Sequence, residues 1–162
     1  MILSIDPGTT KSAWVTFRDG KPRAFAIHPN EELLVGLRLD PYRADVFANV
    51  TVVVIEKVES FGMAVGADIF ETVRWAGRFE EAAQPLLVHR IGRRAVKLHL
   101  CGSARAKDAN VRQALLDRYG GKDTAIGRKA APGPLYGVSA DVWSALAVAV
   151  TWADGKDTRQ ED

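Results

Sequence analysis

Two apolar, strand-forming runs in this chain each end on an acid, and that pattern limits its possible folds more than any other feature. Met1-Ile2-Leu3-Ser4-Ile5 leads straight into Asp6, and Val52-Val53-Val54-Ile55 leads straight into Glu56. Runs of this kind predict buried strands. A carboxylate at the end of a buried strand is costly unless something compensates its charge. A third acid, Asp141, opens the apolar run from Val142 to Val150, which predicts a helix. Hard divalent cations compensate converging carboxylates, and Mg²⁺ takes a few of them with waters completing its shell. The expectation is a metal-dependent phosphoryl-transfer site.

Around these runs the chain alternates. Ser12–Phe17 and Pro22–Ile27 predict a second and third strand, joined by a turn containing Asp19-Gly20, a strong hairpin signal. Glu31–Arg38 predicts a helix with Asn30 as its N-cap, and Val50–Glu56 the fourth strand. Ala67–Gln84 predicts the longest helix, stopped by Pro85. Leu86–Ile91 predicts a fifth strand, followed by helices at Arg93–Leu98 and Lys107–Tyr119. Gly120-Gly121 ends the latter. The Gly- and Pro-containing stretch Lys122–Gly137 predicts a mobile loop, and Asp141–Trp152 a last helix. Three strands followed by alternating helices and strands predict an α/β domain with a mixed sheet. One domain over residues 1–153 and a charged, flexible tail over 154–162 are expected.

The chain has 162 residues and a net charge of only +2. Its charge distribution is lopsided. Eleven of the 22 lysines and arginines fall between Arg90 and Lys129, against three acids, Asp108, Asp117 and Asp123. Such a stretch fits a binder of phosphate backbones or a solvated basic helix face. The single cysteine, Cys101, excludes an intrachain disulfide and fits a reducing compartment. His28, His89 and His99 are isolated, with no zinc spacing. No apolar run approaches the roughly 20 residues of a membrane span, and no signal-peptide pattern stands before Asp6. The expectation is a cytoplasmic protein with no membrane partner.

Each acid carries more than one reading. Asp6-Pro7-Gly8-Thr9-Thr10 fits a metal ligand at a strand end. It also fits a phosphate-binding turn like that of sugar kinases and actin-like ATPases, or a plain strand–turn signal. This chain is too short for the two lobes such ATPases need. Glu56 is a metal ligand or the first residue of a surface loop. Asp141 is a ligand or a plain N-cap, with Ser144 one turn on and on the same helix face. Asp108 reads as a first-turn partner of its helix dipole rather than a ligand.

Taken in order, these segments resemble the RuvC family of Holliday junction resolvases, which have an RNase H-like fold, over residues 1–152. The resemblance rests on Ile5-Asp6-Pro7-Gly8-Thr9-Thr10, Ile55-Glu56-Lys57-Val58, and the long helix with Arg74, Ala76 and Gly77. It continues through Arg94-Ala95-Val96-Lys97, Gly102-Ser103-Ala104-Arg105-Ala106-Lys107, and Asp141 before Ser144-Ala145-Leu146-Ala147. The chain's shortness and its Ala106-Lys107-Asp108 helix start look like the bacteriophage branch, which would place the protein in a host cytoplasm.

The resemblance implies an RNase H-like fold with a five-stranded mixed sheet flanked by helices. It implies a structure-specific DNA endonuclease that resolves four-way junctions by paired symmetric nicks, leaving 5′-phosphate and 3′-hydroxyl ends. Two Mg²⁺ ions about 3.5–4 Å apart, with Mn²⁺ able to substitute, would be held by Asp6, Glu56 and Asp141 with help from Ser144. The family usually has a second acid where Ser144 stands. Asp141, water or Asp108 would have to make up for that departure. Lys107 joins the three acids as a catalytic residue. Lys97, Lys107, Arg94, Arg105 and Arg112 would contact DNA, and Phe61 would insert at the junction. Two symmetric nicks imply a homodimer, with Phe70, Trp75 and Phe79 of the long helix either at its interface or in the core. Three other readings remain. One is a related RNase H-like nuclease acting on other branched DNA or hybrids. The second is a catalytically inactive binder of branched DNA, which Ser144 favours. The third is a small actin-like nucleotide-binding protein.

Overall fold

The computed structural model describes residues 1–38, 45–60, 62 and 65–157. Its centre is a five-stranded sheet built from β1 (Ile2–Asp6), β2 (Lys11–Arg18), β3 (Lys21–Pro29), β4 (Val52–Lys57) and β5 (Leu87–Gly92), in the order β3-β2-β1-β4-β5. The first three strands form an antiparallel meander, and β4 and β5 run parallel to β1. The sheet is therefore mixed and five-stranded, as expected. The parallel strands β1, β4 and β5 all end at the same edge.

Helices cover both faces. On one lie α1 (Asn30–Arg38) and α2 (Ala67–Ala82). On the other lie α3 (Arg93–Cys101), α4 (Asp108–Arg118), the short α5 (Lys122–Ile126) and α6 (Val142–Asp157). Strand alternation sorts the side chains between them. Leu3, Ile5, Val53 and Ile55 pack with Leu33, Leu37, Trp75 and Phe79 against α1 and α2. Val15, Phe17, Val52 and Val54 pack with Leu115, Leu146 and Val150 against the α4–α6 layer. Trp75 and Phe79 are thus core residues, whereas Phe70 of the same helix is 67% exposed.

α6 is apolar nearly all round, because it lies buried across the sheet. Ala145, Ala147 and Ala149 let it approach closely, and the buried Ser4 hydroxyl of β1 donates to the Ala145 carbonyl at 2.7 Å. Its far end is tied down by Asp154, which meets His99 Nε2 at 2.7 Å and the Arg118 guanidinium at 2.7 and 2.9 Å. α6 therefore runs into the stretch expected to be tail.

Two further expectations are corrected. The segment Lys122–Gly137 is ordered: it holds α5 and a two-stranded hairpin, β6 (Gly127–Arg128) with β7 (Ala131–Pro132). Ala125 and Leu135 are fully buried anchors, joined by the Leu135 N–H donating to the Ala125 carbonyl at 2.8 Å. Gly133 is needed there for contact, since a Cβ would lie 2.2 Å from the Thr124 carbonyl oxygen. Asn30, expected to cap α1, turns its side chain the other way, onto the turn after Asp6.

Candidate active site

β1 and β4 lie side by side in parallel, with Ser4 beside Val54 and Ile5 beside Ile55. The next residue on each strand is therefore Asp6 and Glu56, on neighbouring strands roughly 4.8 Å apart. Period-two alternation turns both toward the α6 layer, because Leu3, Ile5, Val53 and Ile55 already face the other way. Register and alternation thus bring two acids fifty residues apart to one spot at the carboxyl edge of the parallel strands. That edge is where open α/β sheets place ligands.

The chain beyond Asp6 is held rigidly. The Gly8 N–H donates to Ser12 Oγ at 3.1 Å, Ser12 Oγ donates to Asn30 Oδ1 at 2.6 Å, and Asn30 Nδ2 donates to the Gly8 carbonyl at 3.0 Å. Asn30 is fully buried. A Cβ at Gly8 would lie 2.2 Å from the Lys11 carbonyl oxygen, so only glycine fits. Both backbone polar groups of Gly8 are engaged inside the protein, so neither is free to hold a phosphate.

α6 delivers the third acid. Asp141 immediately precedes it, and the Asp141 carbonyl accepts from the N–H groups of Ser144 and Ala145 at 3.0 and 3.1 Å. The preceding Ala140 has φ +44°, a left-handed conformation that costs an alanine about 1–2 kcal/mol. Strain of this kind gathers at functional sites. Ser144 hydrogen-bonds the Asp6 carboxyl.

Burial first, then the charges of Glu56 and Asp141, push the Asp6 carboxyl up to about 8, against the opposing pull of Arg93 and the Ser144 hydrogen bond. Asp6 therefore keeps its proton at neutral pH unless a cation compensates its charge.

Arg93, the first residue of α3, is a site residue that the sequence alone does not single out. β5 pairs with β4 so that Ile91 lies beside Glu56 and Gly92 beside Lys57. Arg93 follows at once, and its guanidinium donates to Glu56 Oε1 at 2.9 Å and reaches Asp108 Oδ1 at 3.0 Å. Lys97 reaches the same Asp108 oxygen at 3.3 Å. Burial works against the Arg93 charge, but Glu56 and then Asp108 outweigh it and hold the guanidinium firmly protonated. Slight burial likewise opposes ionisation of Asp108, and Arg93 and Lys97 more than reverse it, keeping Asp108 below the usual carboxylate range. Asp108, at the start of α4, is linked to the acids through Arg93.

The other expected residues divide. Lys97 and Arg112 line a cavity of about 380 Å³ together with Glu56, Arg93, Asp141 and Ser144. Arg112 stacks over Trp143, 4.9 Å from the ring centre. Arg94, Arg105 and Lys107 are exposed. Lys107 sits just before α4, where its N–H donates to Asn110 Oδ1 at 2.9 Å, and it does not line the cavity. Phe61 lies outside the described residues.

The donor set is all oxygen, which suits a hard divalent cation, and a cation there would compensate the buried Asp6 carboxylate. Asp6 and Glu56, at the ends of neighbouring strands, fit a single ion completed by water, with Asp141 close enough to act on Asp6 electrostatically. The fit does not extend to two. Ser144 is neutral, Glu56 is already paired with Arg93, and among the described residues no group of three or more acids, histidines or cysteines forms a ready metal cluster.

A mixed sheet in the order β3-β2-β1-β4-β5, with helices on both faces and acids at the ends of β1 and β4, defines an RNase H-like fold with a strand-end carboxylate site. Among solved structures, the chain is similar to the Thermus thermophilus RuvC structure, with a TM-score of 0.65 and 19% identity over 97% of this chain and 95% of that one. It is also similar to T. thermophilus RuvC in complex with Holliday junction substrate, with a TM-score of 0.64 and 21% identity over 94% and 92%. The fold is RuvC-like. Neither a protein-family model nor a curated protein sequence matches the chain.

Proposed function

We propose that this protein is a Mg²⁺-dependent endonuclease that resolves four-way DNA junctions. The observation that carries the reading is the pairing of Asp6 and Glu56 on one face of a RuvC-like sheet, beneath the start of α6. The similar T. thermophilus RuvC structure in complex with Holliday junction substrate supports the choice of DNA. So does the basic stretch, with Arg94, Arg105, Lys107 and Arg112 exposed and Arg112 lining the cavity. Among the described residues no helix is long and apolar enough to cross a membrane.

In this reading a water oxygen bonds to phosphorus and the bond from phosphorus to the 3′ oxygen breaks. The water's proton passes to a base, and the departing 3′ oxygen takes one up. The products are a 5′-phosphate and a 3′-hydroxyl. A bound divalent cation would polarise the phosphate and acidify the water. Asp6, Glu56 and Asp141 are the residues that would hold it. Ser144 keeps Asp6 oriented, and Lys97 and Arg112 bind the phosphate backbone from the cavity wall. Lys107 approaches the scissile phosphate only once DNA lies across the start of α4.

Two symmetric nicks require two copies related by a two-fold axis. The exposed apolar side chains of α2, Phe70 at 67% and Val73 at 46%, supply a surface for that contact. Sedimentation of the wild-type chain and of Phe70→Asp checks this: a dimer that the substitution converts to monomer is the expected result.

A second reading, a binder of branched DNA without catalysis, is favoured by Ser144 and by the Arg93–Glu56 ion pair. One experiment separates the two. A labelled synthetic four-way junction is incubated with the protein beside linear duplex and flap substrates, in Mg²⁺, Mn²⁺ or EDTA. Paired nicks confined to the junction and abolished by EDTA are expected. Tight junction binding with no cleavage in either metal would establish the binder instead.

A further inference from the structure

We propose that Arg93 stands in for a second divalent cation, so that each site takes one metal ion and the guanidinium supplies the other positive charge to the scissile phosphate. This rests on the nuclease reading above and specifies how that site is built.

Charge balance is the first argument. With all three carboxylates ionised, as in a cation-bound site, Asp6, Glu56 and Asp141 bring three negative charges, and Arg93 returns one positive charge on Glu56 at 2.9 Å. Two net negative charges remain, which one divalent ion balances. Asp108 does not disturb the balance, because Lys97 pairs with it at 3.3 Å. A carboxylate at position 144 with no arginine would leave four negative charges, which two divalent ions balance. Ser144 and Arg93 therefore compensate each other, one removing a negative charge and the other adding a positive one in the same small volume.

Position is the second argument. Arg93 and Glu56 together line two cavities at this edge of the sheet. One, about 250 Å³, holds Asp6, Pro7, Lys57 and Glu59. The other, about 380 Å³, holds Asp141, Ser144, Lys97 and Arg112. The ion pair is the wall they share, between the strand-end acids and the basic surface that would receive DNA.

Guanidinium chemistry is the third argument. Glu56 and Asp108 grip Arg93 from two sides, which fixes the plane of its fork. Arginine carries five N–H donors, so donors remain for a non-bridging phosphate oxygen, which it matches in geometry as a lysine does not.

The test counts ions and then removes the arginine. Mn²⁺ is titrated into the DNA-free protein and followed by calorimetry and electron paramagnetic resonance. One ion per chain with an uncoupled spectrum is expected. Arg93→Ala should still bind one ion, about tenfold more tightly because a neighbouring positive charge is gone, yet cleave the junction at least about a hundredfold more slowly. Arg93→Lys should recover part of that rate. The double variant R93A/S144D should bind two ions with exchange-coupled spectra, and thermal unfolding of each variant verifies that it is folded. Two coupled ions in the wild type would overturn the proposal while leaving the nuclease reading intact. Faster cleavage by Arg93→Ala would overturn it by making Arg93 a block on the site. No Mn²⁺ bound at all would overturn the nuclease reading itself.

Discussion

The layer of α1 and α2 and the layer of α3, α4 and α6 pack on the same five strands, yet they bury different things. Toward α1 and α2, β1 and β4 present Leu3, Ile5, Val53 and Ile55, all fully buried and all apolar. Toward α6 the same strands present Ser4, Asp6, Val52, Val54 and Glu56. Near the middle of the sheet that second face is apolar apart from Ser4, and at the carboxyl edge it becomes acidic. Ser4 shows the transition: it is fully buried, yet its hydroxyl is satisfied by the Ala145 carbonyl. One face thus holds the fold together. The other departs from good packing at one end, where Asp6 cannot be ionised comfortably without a cation. Substitutions on the two faces should therefore separate activity from stability.

The sharpest contrast comes from Asp6→Asn. It keeps the shape of the side chain and removes the carboxylate, so junction cleavage in Mg²⁺ should fall by roughly three orders of magnitude or more. Junction binding in EDTA should stay within a fewfold. Retained cleavage would remove Asp6 from the chemistry, and with it the functional distinction between the two faces.

Phe79→Ala is the opposite probe. Phe79 is fully buried beneath α2, and truncating it should destabilise the protein by about 3–5 kcal/mol. Cleavage per folded molecule, measured well below the unfolding temperature, should be unchanged. A comparable loss of rate in the folded variant would mean that the α1–α2 layer also shapes the site.

A third test uses the proton on Asp6. The folded-state value, about 8, lies above the ordinary 3.8. Between those values the native state binds more protons than the unfolded chain, so stability falls as pH rises. The contribution is complete below about pH 4 and lost as pH passes through 8. Without divalent metal, unfolding by denaturant should show a loss of up to about 5–6 kcal/mol from this group across that window. Asp6→Asn should abolish that part of the slope. Mg²⁺ should stabilise the wild type more at pH 8.5 than at pH 6, because the ion must displace the proton. A metal-free profile identical in wild type and Asp6→Asn would contradict the assigned environment.

Much of this was legible from residues alone, for physical reasons that also explain the rest. Asp6 and Glu56 could be read because each interrupts a run whose burial is written in its composition. Asp141 could be read because an apolar helix begins right after it. The mixed sheet could be read because hairpin signals join the first three strands and helices separate the later ones; the order of its strands is a tertiary fact. Arg93 was hidden because nothing local distinguishes it from Arg94 beside it. Its role depends on the β4–β5 register, which sets Ile91 against Glu56 and so brings the following turn over the acid. Asp108 was read correctly as a helix-start acid, but the reach of Arg93 and Lys97 to it is a tertiary fact. The Lys122–Gly137 segment was misread because its glycines and prolines resemble those of a free loop. The contrary signal was Ala125 and Leu135, two apolar residues that anchor the segment in the core.

The mildest test of the contrast concerns the cavity wall on the α6 side. Arg112 stacks over Trp143, which is itself 8% exposed, and both line the cavity beside Asp141 and Ser144. The stack contributes about 0.5–1 kcal/mol to folding, so Arg112→Ala should lower stability by no more than that. Its larger effect should be on DNA. Binding to junction and to linear duplex should weaken by a similar factor, and the slope of log affinity against log salt should shrink by about one. That outcome would place Arg112 on the phosphate backbone. A loss confined to the junction would instead assign it to recognition of the branch. An unchanged salt slope would mean that Arg112 faces solvent in the complex, and the DNA path would then have to run along Arg94, Arg105 and Lys107 instead.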